Sequence, residues 1–398
     1  MSAALPLPPL AVYVHFPWCV SKCPYCDFNS HALREVLPED RYVSALIADL
    51  HAQAPRLTDA APARPIVSVF MGGGTPSLFS PGAIARVVEA LRAVLPMSAD
   101  TEITMEANPA TVERGRFAEY RAVGVNRVSL GAQSFDPAAL KALGRIHKVE
   151  DVYRAAEELH ACGLTNFNLD LMYALPDQTI AGSLADLTAA LWLEPAHLSH
   201  YQLTLEPGTV FAHDPPPLPD EDQAYAMQDE CHAVLAAHGY ERYETSAFAR
   251  AGRQCAHNLN YWNFGDYLGL GAGAHGKLTR EEGVNRVVTR STHLREPRRY
   301  QASAASGPEW RAVPGPDLPF EFMMNALRLT TGFPATLYTE RTGLAIGTVQ
   351  PILTRLSEEG LMEGADQGWR PSPRGQLFLN DVIARFLPRP NSQARAGS

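Results

Sequence analysis

The chain has 398 residues, 46% of them hydrophobic and 19% charged, with a formal net charge of −9. That length supports two or three domains with a sizeable core, and the composition excludes extensive disorder. The acidic balance argues against sequence-independent nucleic-acid binding, which needs a basic face to displace phosphate counterions.

Residues 1–10, MSAALPLPPL, carry no basic residue and are broken by prolines, so they read as an N-terminal extension and not as a signal peptide. No apolar run approaches the length of a membrane span, which leaves peripheral contact as the only membrane role to expect. Residues 11–240 then alternate β-rich runs with amphipathic helical patterns. Strands are expected at AVYVHF, PIVSVFM, EITMEA, NRVSLGA, FNLDLMY and LSHYQLTL. Helices are expected at EDRYVSALIADLHAQ, PGAIARVVEALRAVL, VYRAAEELHACG and SLADLTAALWL. Repeated βα units imply a parallel sheet with helical crossovers. Six units fall short of a complete eight-stranded barrel, so the expected fold is α/β, a partial (β/α)6 parallel barrel. A doubly wound sheet is the competing architecture.

The first strand runs into YVHFPWCVSKCPYCDFNSH, which holds Cys19, Cys23 and Cys26, half of the chain's six cysteines. Three thiols on one loop can converge on a metal centre. A structural zinc site would need a fourth ligand, and His15 is the near candidate, but it belongs to the strand. An iron–sulfur cubane presents four irons, so three cysteines leave one iron open. The cluster is the favoured reading, with zinc or unpaired structural thiols as alternatives. Cys162, Cys231 and Cys255 are scattered, which suits a reducing compartment and a cytoplasmic location.

The second strand ends in MGGGTPS. Gly73 and Gly74 let the backbone approach a neighbour closely, and the segment matches neither a phosphate loop nor a dinucleotide fingerprint. Both loops follow strands, at the end where parallel barrels carry their sites. The later strands alternate in polarity. Glu102, Thr104 and Glu106 share one face; so do Arg127, Ser129, Gly131 and Gln133, and so do Asn166, Asn168 and Asp170. Buried polar groups need partners, so this inner face implies a polar ligand inside the barrel, the bland alternative being bonds between neighbouring strands.

Residues 241–314 extend the barrel and include HNLNYWNFGDYLGLGAGAHG. Near 315 the proline-rich RAVPGPDLP reads as a linker. LAIGTVQPILTRLSEEG followed by LMEGADQGWRPSPRG then reads as a helix and hairpin, a mainly helical, winged-helix-like domain over 315–386. Its would-be recognition helix sets Glu358 and Glu359 against Arg355, which is poor for DNA and better suited to covering the barrel mouth or docking a partner. Residues 387–398 read as a disordered tail.

The C-x3-C-x2-C loop, with Tyr25 before the last cysteine, resembles the radical S-adenosylmethionine (SAM) superfamily, and GGGTP resembles its SAM-binding segment. YVHFPWC, HNLNYWNFGDYLGLGAGAHG and EFMMNALRL narrow the resemblance to the coproporphyrinogen dehydrogenase-like group, and within it to the heme chaperones. The resemblance implies a 4Fe-4S cluster on Cys19, Cys23 and Cys26. It implies SAM contacts from Tyr13, Tyr25, Gly73, Gly74, Thr75, Glu106, Gln133, Arg145, Asp170 and Gln202. Dehydrogenases of the group continue the motif with a fourth cysteine, where this chain has Phe28, so a chaperone is expected over an oxidoreductase. It would bind heme, pass it to respiratory apoproteins and draw on an electron donor. HNLNYW is the implied heme motif, with His257 as candidate axial ligand; the bland reading is that this loop caps the barrel.

Overall fold

The computed structural model describes residues 5–58, 64–111, 115–282, 285–365 and 368–388. The first four residues of the N-terminal extension, and the expected tail from 389 onward, lie outside the described residues.

Six strands follow the expected rhythm: β1 (Leu10–Phe16), β2 (Ile66–Gly73), β3 (Met97–Ala107), β4 (Arg127–Gln133), β5 (Phe167–Tyr173) and β6 (His197–Gln202). Each pairs in parallel with the next. A seventh strand, β7 (Asp266–Leu270), pairs in parallel with the other side of β1. It comes from the DYLGL run, which sequence reading placed in the extension without assigning it a strand. Strands Ala247–Ala249 and Glu241–Arg242 extend the β6 edge, and three antiparallel strands within 275–312 extend the β7 edge, giving a sheet of twelve among the described residues. Among the described residues no pairing joins β6 to β7, so the parallel core is an open barrel.

Helices Glu39–Gln53, Pro81–Val94, Val149–Ala161 and Ile180–Trp192 cover the outside of this sheet. Leu46, Leu50, Val88, Leu91, Leu159 and Leu187 bury their side chains against Val12, Val69, Ile103, Val128 and Leu169 in one continuous apolar layer. The alternation seen in the sequence follows from this. Apolar residues face the helices, and their polar neighbours turn inward.

The C-terminal part packs helices Leu318–Ala326, Ala335–Thr342 and Gln350–Glu358 against a sheet of three short strands, in the helix-plus-hairpin arrangement read from the sequence. Its core contains Phe322, Phe333, Tyr338 and Leu353, together with Phe264 and Val288 from the barrel extension. The two regions therefore share one apolar cluster.

Candidate functional site

The cysteine loop leaves β1 at Pro17 and is fastened at both ends. Trp18 and Cys19 pair with His31 and Ala32, and Cys26 N–H donates to the Cys23 carbonyl at 3.2 Å. Gly74 N–H and Thr75 N–H donate to the Phe16 and Trp18 carbonyls, both at 2.7 Å, so the glycine segment carries the start of the cysteine loop. This is why glycines are needed there. A Cβ on Gly74 would lie 2.6 Å from two backbone oxygens, and one on Gly73 (φ +107°) would lie 2.2 Å from the His15 ring. Asn29 ties the far side of the loop by donating to the carbonyls of Ala272 and Arg295, both at 2.9 Å. The glycine-rich GLGAGAHG segment thus supports the cysteine loop from behind.

Cys19, Cys23 and Cys26 are free, half-buried thiols on the wall of one cavity of about 560 Å³, a volume suited to a small-molecule ligand. Among the described residues no three His, Cys, Asp or Glu side chains converge on a single point as one metal ion requires. Burial pushes the Cys19 thiol up, so its thiolate needs a cation close by, as bound iron would supply.

Most of the expected cofactor contacts line this cavity: Tyr25, Gly73, Gly74, Thr75, Glu106, Gln133, Arg145, Asp170 and Gln202. Glu106 accepts from Gly73 N–H at 3.0 Å, and burial pushes its carboxyl up to about 8, aided by the neighbouring Asp170. Asp170 is raised as well, again by burial, although Asn168 Nδ2 donates to it at 2.7 Å. Two buried carboxyls close together favour a cationic or strongly donating ligand. Gln133 reaches the cavity because the register shifts between Leu130 and Gln133 and its φ is +67°, a strained value that turns its amide inward. Tyr201 holds that amide by donating to Gln133 Oε1 at 2.7 Å. Arg145 is not a solvated surface charge. It donates to the Gly131 carbonyl at 2.8 Å, and its Nη1 lies 3.6 Å from Cys23 Sγ.

Three expectations land elsewhere. Tyr13 is not among the lining residues; its hydroxyl meets His15 Nδ1 at 3.0 Å and its ring stacks on Phe70. Glu102 and Arg127 face the barrel interior but serve its far end, where Glu102 accepts from the Ala256 and His257 N–H groups. His257 is 4% exposed on the short helix Ala256–Trp262. Its Nδ1 meets Ser68 Oγ at 3.0 Å, its ring stacks on Phe70, and burial lowers its pKa to about 3. Tyr261 packs on Tyr267, Trp262 lies beneath Arg328, and the His257 Nε2 is buried without a partner. Sequence reading missed Tyr201 and Arg328 as cavity residues; neither stands in a spacing pattern that marks it.

Comparison with known proteins gives the chain its family. The family model for the radical SAM superfamily matches residues 13–186, and that for the HemN C-terminal domain matches 313–378. Heme chaperone HemW of Escherichia coli is 47% identical over 96% of this chain and 99% of its own length. The chain belongs to the HemW family of radical SAM proteins. HemW of Haemophilus influenzae is 45% identical over 96% of this chain and 98% of its own, and HemW of Bacillus subtilis 32% identical over 95% and 99%. The solved structure of the radical SAM enzyme coproporphyrinogen III oxidase (HemN) from E. coli superposes with a TM-score of 0.79. It is 24% identical, covers 96% of this chain and 91% of its own, and shows the shared fold. The expected superfamily and fold stand, with one more parallel strand than anticipated.

Proposed function

We propose that the protein is a heme chaperone, which binds heme and hands it to acceptor apoproteins with the help of a 4Fe-4S cluster and SAM. The full-length identity to the HemW proteins carries this reading. Cys19, Cys23 and Cys26 would hold the cluster, whose remaining iron offers SAM a coordination position. Glu106 and Asp170 accept hydrogen bonds from the amino or ribose groups of SAM, Gln133 offers its amide, and Arg145 pairs with the SAM carboxylate. Phe28, 59% exposed, takes the position where a dehydrogenase of this group carries its further cysteine. No helix among the described residues is long and apolar enough to cross a membrane. Respiratory apoproteins as acceptors, an electron donor for the cluster and a cytoplasmic location belong to the same proposal.

The test is the visible spectrum of the anaerobically purified protein before and after adding heme, together with an assay on coproporphyrinogen. A cluster spectrum followed by a stable Soret band, without decarboxylation, is the expected result. Conversion of coproporphyrinogen would replace the chaperone reading with the oxidoreductase one.

A further inference from the structure

The motifs HNLNYW and EFMMNALRL meet in space. Arg328, at the end of the second, comes from the C-terminal part and reaches the cavity that holds the three cysteines. Its guanidinium lies 4.6 Å over the ring of Trp262, the last residue of the first. Among the described residues the Arg328 side chain makes no hydrogen bond or ion pair, and its Nε is buried without an acceptor. The indole Nε1 of Trp262 is buried and unpartnered too. Glu244 is the acid closest in influence, but it is 3% exposed and burial raises its pKa, which weakens it as a counter-ion. Two orphan donors at one contact are costly unless an acceptor arrives, and the one the chain places in range of influence, Glu244 Oε2, is buried and itself unpartnered.

We propose that Arg328, held on Trp262, recognises a carboxylate of the second ligand in this cavity, a heme propionate. The inference rests on the chaperone reading. A guanidinium fork on an aromatic face is suited to a planar carboxylate and cannot lose its charge. SAM brings one carboxylate, for which Arg145, beside Cys23, is already the partner. Arg328 is the other cation among the residues lining this cavity. Hydrogen bonds to a charged group place the loss on removing it at about 10- to 100-fold in affinity.

The experiment uses the full chain with its cluster reconstituted, as wild type, R328Q and R328K. SAM affinity is measured by calorimetry, and affinities for heme and for heme dimethyl ester by Soret titration. The expected result is SAM affinity within about twofold of wild type in R328Q, alongside that 10- to 100-fold loss for heme. R328K should fall between, and the wild type's preference for heme over its diester should vanish in R328Q. Weakened SAM binding with heme intact would assign Arg328 to the SAM carboxylate and overturn the proposal. Wild-type heme affinity in R328Q would overturn it as well, leaving the chaperone function untouched. A wild-type protein that takes up no heme would overturn the function first, and this inference with it.

Discussion

At the residue scale, the cysteines divide into two sets by what surrounds them. Cys19, Cys23 and Cys26 share a cavity wall, whereas Cys231 and Cys255 are buried apart and Cys162 rests on the Leu159 carbonyl. Alanine at any of the first three should remove bound iron and sulfide; alanine at any of the other three should not. Metal analysis of the six variants checks this, and equal losses across both sets would sink the division. Glu106 adds a pH dependence. Burial holds its carboxyl at about 8 in the fold against 4.5 in a solvated chain, with Asp170 pushing the same way and the Gly73 N–H opposing. Between those values the native state keeps a proton that the unfolded chain has lost. The ligand-free protein should therefore lose stability as pH rises from about 4.5 to 8, with the penalty complete above that window. Glu106→Gln should flatten this slope. Urea midpoints at pH 5 and 8.5 measure it, and parallel pH dependence in both proteins would contradict the assignment.

At the element scale, much of the barrel was legible because its strands alternate and its helices repeat. Helix Glu39–Gln53 and strand Phe167–Tyr173 match the read segments end to end. β7 was not legible, since DYLGL is a short run outside the repeated βα units and its pairing with β1 joins residues far apart in the chain. The cysteine loop announced itself by spacing. Gln133's inward turn did not, because it depends on a bulge and a positive φ that no pattern records. The glycines of GGGTP were read as letting the backbone approach a neighbour closely, and those of GLGAGAHG were given no structural role. Their hydrogen atoms face His15, the Trp18 backbone and Asn29, so they are explained by the close seating of the cysteine loop. The helix Ala256–Trp262 carries two readings, a ligand site and a cap, and the burial of His257 against Phe70 and Ser68 gives the cap its measurable consequence. His257→Ala removes the stack on Phe70 and the contact with Ser68, which should cost about 2 kcal/mol. The Soret band of the heme-loaded variant should match wild type, and a shifted band with unchanged stability would restore the axial role to His257.

At the scale of the whole molecule, the C-terminal part is joined to the barrel by core as well as by sequence. Phe322 is fully buried and makes edge contacts with Phe264 of the extension and with Phe333 and Tyr338 of its own region. Nearby, Asp266 at the start of β7 is buried with Lys277 at 2.9 Å and Arg64 at 2.6 Å, fixing the extension to the chain segment before β2. A cluster that crosses the boundary couples the two regions, so they should unfold as one. Phe322→Ala opens a cavity at this junction and should cost about 3–5 kcal/mol. Because Phe264 loses its partner too, the whole calorimetric transition should move down and remain single. A variant in which a small early transition separates from an unshifted main one would show that the C-terminal part melts by itself. In that case Arg328 would sit on an element free to leave the cavity while the barrel stays folded. A single shifted transition instead ties the position of Arg328 to the fold that positions the three cysteines.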